Sequence, residues 1–491
     1  MAISFAQISL SSRLPGFEVE FDNSNAVKGL ALDTTRVVMF AQKLPTGTAP
    51  ANTPTRALAA DHGVELGGRG SMLAAMVRAF RKASDMLDLW VVALDDNAAG
   101  TKATASITIT GPAASASTRS LWIGGQRIQW AVAIGSSATQ IAADLVAAIN
   151  ANLDLVVTAT IDGTVASQVN LTARHKGEAF NGLDLRMGYY QGDIPADGLT
   201  FTIVAFAGGT GNPDLVSGMT ALGDTQYHHA VLPYTDGANL AAVTAEFTDR
   251  WSAGQQIEGQ VWSAHAGNHA ALTTLGNGLN AFCLSILPCY ASPSPAYEVA
   301  AIYGAVCAAS IDIDPARPVQ TLTLKGMMAP AEKDRFDKLE RNLLLWDGIS
   351  TFTVTSSGLC QIERAITTYQ VNDWGLNDPS YLDVETPATL SVLRRTWRAR
   401  QAQKFPRHKL ADDGTNFGVG QAIVTPSILK AENIALARDW EERGWVENVD
   451  AFKAALVVER NADDQCRADH LLTPDLVNQY RKGAALIQFI V

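Results

Sequence analysis

The chain sets up a strand–helix–strand rhythm, drops it near residue 100 and resumes it near residue 209. RVVMFAQ from Arg36 reads as a buried strand, GGRGS as a turn, and DLWVVAL from Asp88 as a second buried strand. Between them MLAAMVRAFRKA places Met72, Met76 and Phe80 on one helical face. Parallel strands need a crossover and a helix supplies it, so this order predicts a layered α/β unit. From about 100 to 208 the composition turns to Ala, Thr, Ser and Gly, with short alternating stretches: SITITG, SLWIGGQRIQWAVA, LVVTATI, QVNLTAR and LTFTIVAF. Gly124-Gly125 marks a hairpin turn, and one helix, SATQIAADLVAAIN, carries Ile141, Leu145 and Ile149 on one side. HHAVLPYT, QIEGQVWSAHA and AFCLSILPC then restore the first rhythm. A chain that leaves a sheet and returns to it must hold an inserted domain.

The remainder predicts a further α+β domain. It has a helix in AEKDRFDKLERNLLLWDG, strands in STFTVTSSG and IERAITTY, and a long helix with Thr386 as N-cap and Pro387 at N1. Both ends are apolar and alternating, through Ile3, Phe5, Ile8 and Leu10 at one and Leu486, Ile487, Phe489 and Val491 at the other. Strands with so few sequence neighbours cannot bury themselves, and an unpaired apolar edge invites association, so each end requires a partner. The fold class expected is α/β and α+β multidomain: a split doubly wound α/β domain (23–99 plus 209–329), an inserted β-rich α+β domain (100–208) and a C-terminal α+β domain (330–483). Extended terminal strands complete it, an N-terminal arm at 1–22 and a C-terminal arm at 484–491. About three domains fit 491 residues.

Charge and motif content exclude several functions. A net charge of −11 and a pI near 5.2 oppose a nucleic-acid groove, which needs concentrated Lys and Arg. The N-terminal stretch lacks the pattern of a secretory signal, and no apolar run approaches the roughly 20 residues of a membrane span. Folding in a cytoplasm is the expectation. Cys283, Cys289, Cys307, Cys360 and Cys466 have no C-x-x-C spacing and read as free thiols. There is no G-x-S-x-G elbow and no complete phosphate loop around Gly67, Gly68 and Gly70. His265 and His269 lack the Glu of H-E-x-x-H, and His228 and His229, adjacent on a strand, point to opposite faces. The stretch RAITTYQVNDWGLNDPSYLDVETPATL gathers Arg364, Tyr369, Trp374 and three aspartates, Asp373, Asp378 and Asp383, without an EF-hand spacing. Glu363 with Arg364 is a candidate interfacial pair. The helix that follows is basic through Arg394, Arg395, Arg398, Arg400 and Lys404. It is either a solvated face that suits a helix C-terminus or a docking face for an acidic partner.

RAITTY (364–369), DPSYLD (378–383), TPATL and FPRHKLADDG (405–414) follow one another in an order that resembles the C-terminal domain of tail sheath proteins from contractile bacteriophages, above all Mu-like phages. GSMLAAMVRAF, ALDDNAAGTKATASITITG, QIAADLVAAINA and LTARHKGEAFNGLDLRMG extend the similarity over nearly the whole chain. The resemblance implies a structural virion protein, not an enzyme, with no catalytic residues, cofactor or metal. It implies six-fold rings stacked helically around a tail tube, and contraction that drives the tube through a bacterial envelope for genome ejection. Implied partners are further copies of the chain, the tail tube protein, and baseplate and tail terminator proteins, with no direct nucleic-acid binding and no membrane insertion. Assembly would take place in the host cytoplasm. The apolar ends become strand-exchange arms. The strand through Arg364, Ile366, Thr368 and Tyr369 would accept a neighbour's arm, and Arg394, Arg395, Arg398, Arg400 and Lys404 would face the tube or a neighbour. The C-terminal domain would form the inner layer and the inserted domain the outermost. The alternatives are the sheath of a phage-derived bacteriocin, a non-contractile assembly protein and an α/β enzyme.

Overall fold

The structure is a computed structural model and describes residues 35–190, 192–418 and 420–490. The expected N-terminal arm, with Ile3, Phe5, Ile8 and Leu10, lies outside these residues, as does Val491.

The strands β1 (Arg36–Gln42), β2 (Pro54–Arg56) and β3 (Asp88–Leu94) begin a sheet, with the helices α1 (Ala60–Gly67) and α2 (Met72–Ala83) between them. Ser71 caps α2 by accepting the Ala74 N–H at 3.0 Å, which satisfies one of the orphan donors of the first turn. An excursion follows through β4 (Lys102–Thr110), β5 (Ser117–Ile123), β6 (Gln126–Val132), α3 (Ala138–Ala151), β7 (Val157–Ile161), β8 (Gln168–Lys176), β9 (Leu185–Met187) and β10 (Thr200–Ala207). These strands pair only among themselves, as sheets ordered β10-β4-β8-β7 and β6-β5-β9. The β5–β6 turn takes Gly124 and Gly125 at φ 52° and 75°, the left-handed pair that a two-residue hairpin of this hand requires.

After α4 (Val216–Thr220) the chain returns through β11 (His229–Leu232), α5 (Gly237–Trp251), β12 (Gln260–His265), α6 (His269–Asn277), β13 (Leu284–Pro288) and α7 (Ala296–Ile313). The completed sheet runs β13-β12-β11-β1-β3-β2, parallel except at β2. Val38 of β1 lies between Ala230 and Trp90, so a strand from after the excursion pairs with one from before it. The continuous apolar runs of β1 and β11 are explained by this central position. A strand covered on both faces has no polar side to alternate with.

Helix α7 packs on β11, β12 and α2. The approach is close because Gly304 lies over the sheet, where a Cβ would meet Val231 Cγ2 at 2.6 Å. By length and composition α7 is apolar enough to cross a bilayer, contrary to the expectation from apolar runs. Eleven of its eighteen residues are buried in the protein, so its apolarity belongs to the core.

The C-terminal stretch comprises α8 (Lys338–Trp346), β14 (Thr351–Val354), β15 (Cys360–Arg364), α9 (Glu385–Lys404), β16 (Lys409–Leu410), β17 (Ile423–Val424), α10 (Pro426–Glu442), β18 (Val446–Glu447), α11 (Val449–Ala455), β19 (Val457–Arg460), β20 (Ala468–Leu471) and β21 (Asp475–Leu476). Helix α8 starts later than expected because Asp337 and Glu340 form a capping box. Helix α9 starts at Glu385, earlier than the expected Thr386 cap. Pro387 then falls in the first turn, where a missing N–H costs nothing.

Two compact units result, one of residues 393–439 with 450–473 and the other of the remaining described residues. No break in packing falls at residue 330: β15 is flanked by residues 321–324, and Ser350 and Thr368 donate to the carbonyls of Ile286 and Leu284 on β13.

Candidate assembly surfaces

The stretch from Arg364 was expected to present a strand edge. Its backbone is already engaged inside the subunit. The Ile366 N–H donates to Ser350 Oγ at 3.0 Å, and the Ile366 carbonyl accepts from Ser285 Oγ at 2.6 Å. Thr367 N–H reaches the Leu382 carbonyl and Thr368 N–H that of Leu284, both at 2.8 Å. β15 itself lies between β14 and the backbone of Leu322 and Leu324. The amides of Ile366, Thr367 and Thr368 in the expected arm-accepting stretch of Arg364, Ile366, Thr368 and Tyr369 are therefore already paired with groups inside the subunit.

Arg364 does not pair with Glu363, its neighbour on a strand, because successive side chains point to opposite faces. Glu363 takes Arg341 at 2.8 Å, while Arg364 grips Asp383 through both Nε and Nη2 at 3.0 and 3.2 Å. Arg481 joins the cluster from the other end of the sequence, 3.0 Å from Asp383 Oδ1 and 2.8 Å from Glu385 Oε2. Glu385 is fully buried and also accepts the Val319 N–H at 2.9 Å. Burial pushes its carboxyl above the ordinary range, with Arg481 and the Val319 N–H pulling the other way. The chain is thus held at Arg481, just ahead of the C-terminal arm. Asp378 accepts from Tyr369 Oη at 2.8 Å and Ser380 N–H at 2.9 Å, which makes it a turn residue rather than a cation ligand.

Two cations of the basic helix, Arg400 and Lys404, are spent on carboxylates of the same unit. Arg400 pairs with Glu432 and, at 3.1 Å, with Asp439, and Lys404 reaches Glu432 at 3.1 Å. Arg394, Arg395 and Arg398 are engaged as well. The expected tube-facing cation patch is therefore partly neutralised from within.

His265 bonds Thr235 at 2.7 Å and His269 the Glu340 carbonyl at 3.2 Å. His228 accepts the Arg36 N–H and His229 the Trp262 indole N–H, both at 3.1 Å. No group of three or more His, Cys, Asp or Glu suited to a metal occurs among the described residues.

Unsatisfied apolar surface is found at the arm. Residues 484–490 are in no helix or strand, and Leu486, Ile487, Phe489 and Ile490 are 82–100% exposed. The hairpin β19–β20 pairs Val457 with Leu471 and Arg460 with Ala468. Among the described residues neither outer edge has a backbone partner. Sequence reading passed over this hairpin, although VVER and ADHL flank a polar turn in NADDQCR, the usual sign of one.

Residues 208–368 match the phage tail sheath protein central domain and residues 377–490 the phage tail sheath C-terminal domain. Over all 491 residues, and the whole of the relative, the chain is 44% identical to a Mu-like prophage tail sheath protein of Haemophilus influenzae. A sheath tail protein of Desulfitobacterium hafniense is similar in structure at 14% identity, covering 94% of this chain and all of that one, with a TM-score of 0.48. The helical sheath of the anti-feeding prophage in its contracted state is similar at 11% identity, covering 98% and 99%, with a TM-score of 0.46.

Proposed function

From the premise that this chain belongs to the phage tail sheath family, we propose that it is the repeating subunit of a contractile sheath, polymerised as stacked six-fold rings around a tail tube. The observation that carries this reading is the exposed apolar segment 484–490, which water does not tolerate and a second copy can cover.

The arm adds to a neighbour as an extra strand, where main-chain hydrogen bonds give connectivity and alternate side chains give register. The acceptor is the β19–β20 hairpin. An isolated two-stranded hairpin is marginal in water, and strands added at its edges complete a sheet. Two edges without a backbone partner among the described residues match two arms, one from each end of the chain. Contraction follows as subunits move as near-rigid bodies to a shorter, wider lattice and drive the tube through the target envelope. The arms keep the lattice connected. Tail tube, baseplate and terminator proteins are the partners, the C-terminal part lies inward, and the excursion 100–208 lies outward. Assembly takes place in the host cytoplasm and the product is a virion component.

The test is truncation of residues 484–491 in the full chain. The expected product is a folded, soluble subunit that forms no tubes under conditions where the intact chain does. Tubes of normal length and contractility from the truncated chain would refute the arm reading. Electron micrographs showing one fixed sheath length under all conditions would refute contraction.

A further inference from the structure

The β19–β20 hairpin has little apolar hold on its own unit. All eight residues of its two strands are half-buried or exposed, with Val457 at 46% and Leu471 at 57%. Arg460 pairs with Asp412 at 3.1 Å, but that carboxylate is 71% exposed and solvent screens the pair. A polar chain through His470 of β20 joins the hairpin to the helices beside it. Trp397 and Gln401 on α9 both donate to Asn433 Oδ1 on α10, at 3.1 and 3.2 Å, and Asn433 Nδ2 lies 2.8 Å from His470 Nδ1. Asn433 is 1% exposed, and the rings of Trp397 and His470 meet edge to face, 5.4 Å between centroids.

This chain of bonds admits one arrangement of protons. An indole is a donor only, so the atom of Asn433 that faces Trp397 is its oxygen, and the amide cannot turn over. The NH2 group then faces His470, whose Nδ1 has to accept, so the imidazole carries its proton on Nε2 and is neutral. A second proton, on Nδ1, sets N–H against N–H. Turning the amide to meet it sets the NH2 group against the indole N–H instead, so either way a buried bond is lost. The charges around His470 are already engaged. Asp469, its neighbour on β20, accepts from Asn461 and Arg467, while Arg400 and Lys404 of α9 are taken up by Glu432 of α10. Across the hairpin stands the apolar Val458. Burial lowers the imidazole below its ordinary 6.5, against the pull of Asp469.

We propose that one proton on His470 unseats the β19–β20 hairpin, so that the edges offered to arms stand in place only while this imidazole is neutral. This rests on the sheath reading and deepens it by naming what holds the acceptor in position. The sign follows from the geometry. An unseated hairpin binds the proton more readily than a seated one, so falling pH favours release. At one pH unit below the ordinary 6.5, the seated form loses up to about tenfold against the unseated one.

The experiment follows hydrogen exchange in the unassembled full-length chain at pH 7.5 and pH 5.5, as protection factors over residues 457–460 and 468–471. Protection in the wild type is expected to fall about tenfold at the lower pH. His470→Gln keeps an acceptor and binds no proton, so its protection is expected to hold within about twofold. Trp397→Phe removes the donor that fixes Asn433, which frees the amide to turn, and the acid effect is expected to shrink. A histidine with a merely structural role would show no such dependence. Equal protection at both pH values in the wild type, or an equal loss in His470→Gln, would overturn the proton lock whatever the tubes do. The critical concentration for tube formation is expected to rise at pH 5.5 in the wild type and not in His470→Gln. Hairpin release without any change in tube formation would leave the lock standing and overturn the hairpin as arm acceptor.

Discussion

Replacing Arg481 by alanine should separate the folding role of the arm's root from the assembly role of the arm. Arg481 is the main charge partner of Glu385, whose side chain is fully buried, and it also bridges to Asp383, itself 18% exposed. Removing one partner of a buried ion pair strands the other charge, at a typical cost of about 3–5 kcal/mol. Glu385 keeps the Val319 N–H and Asp383 keeps both bonds from Arg364, so the lower end, about 3 kcal/mol, applies. Adding Glu385→Gln removes the stranded charge and should recover more than half of the loss. The sign with pH follows. The Glu385 carboxyl already titrates above its unfolded value, and losing Arg481 raises it further, so the protonated acid is the form the folded state prefers. The single variant should therefore be least stable at pH 8 and approach the wild type as pH falls toward 5. Urea unfolding of the unassembled chain at both pH values reads this directly. A loss below 1 kcal/mol with no pH dependence would refute the view that the chain is held at Arg481 by Glu385.

Other perturbations test neighbouring parts of the argument. Gly304→Val should overpack α7 against Val231 and cost about 1–3 kcal/mol or more, read by the same denaturant titration. In the native chain Cys466 alone of the five cysteines is exposed, and burial pushes the Cys283, Cys289 and Cys360 thiols up to about 12, so a thiol reagent should label one site quickly and the rest only on unfolding. Burial raises the Asp197 carboxyl, but hydrogen bonds from Arg119, Ser117 and Leu199 N–H outweigh it and hold it at about 2. A depressed acid adds stability above its ordinary 3.8, so the excursion should loosen as pH falls from about 4 toward 2. The Arg119→Met variant should lose that dependence in hydrogen exchange.

What could be read ahead of the structure divides by the range of the forces involved. β1, α2 and β3 were legible because apolar periodicity is local, and Gly124-Gly125 because one backbone conformation demands that pair. RAITTY misled for a physical reason: alternating Ile and Thr read as a strand edge whether their amides meet another strand or the hydroxyl of Ser350. Nothing in the neighbouring sequence announces which. The charge on α9 was visible, but Glu432 and Asp439, which absorb part of it, lie on another helix. Arg364 and Arg481 meet on one aspartate although one lies on β15 and the other near the end of the chain. Two features were readable and overlooked: the start of α8, since D-x-x-E at Asp337 and Glu340 marks a helix N-terminus, and the β19–β20 hairpin, whose polar turn lies between two short strand patterns.

The fixed position of Arg481 has a geometric consequence for any lattice built from this chain. Leu486, the first large apolar side chain of the arm, lies five residue steps beyond it. An extended chain covers at most about 3.3–3.6 Å per residue, which gives a leash of roughly 17 Å. With the arm added to a neighbour as proposed, every arrangement of neighbours, long or short, would have to keep a receiving edge inside that radius. The tether would then act as a ruler, bounding how far two subunits can slide or turn apart before the strand between them is pulled from its seat.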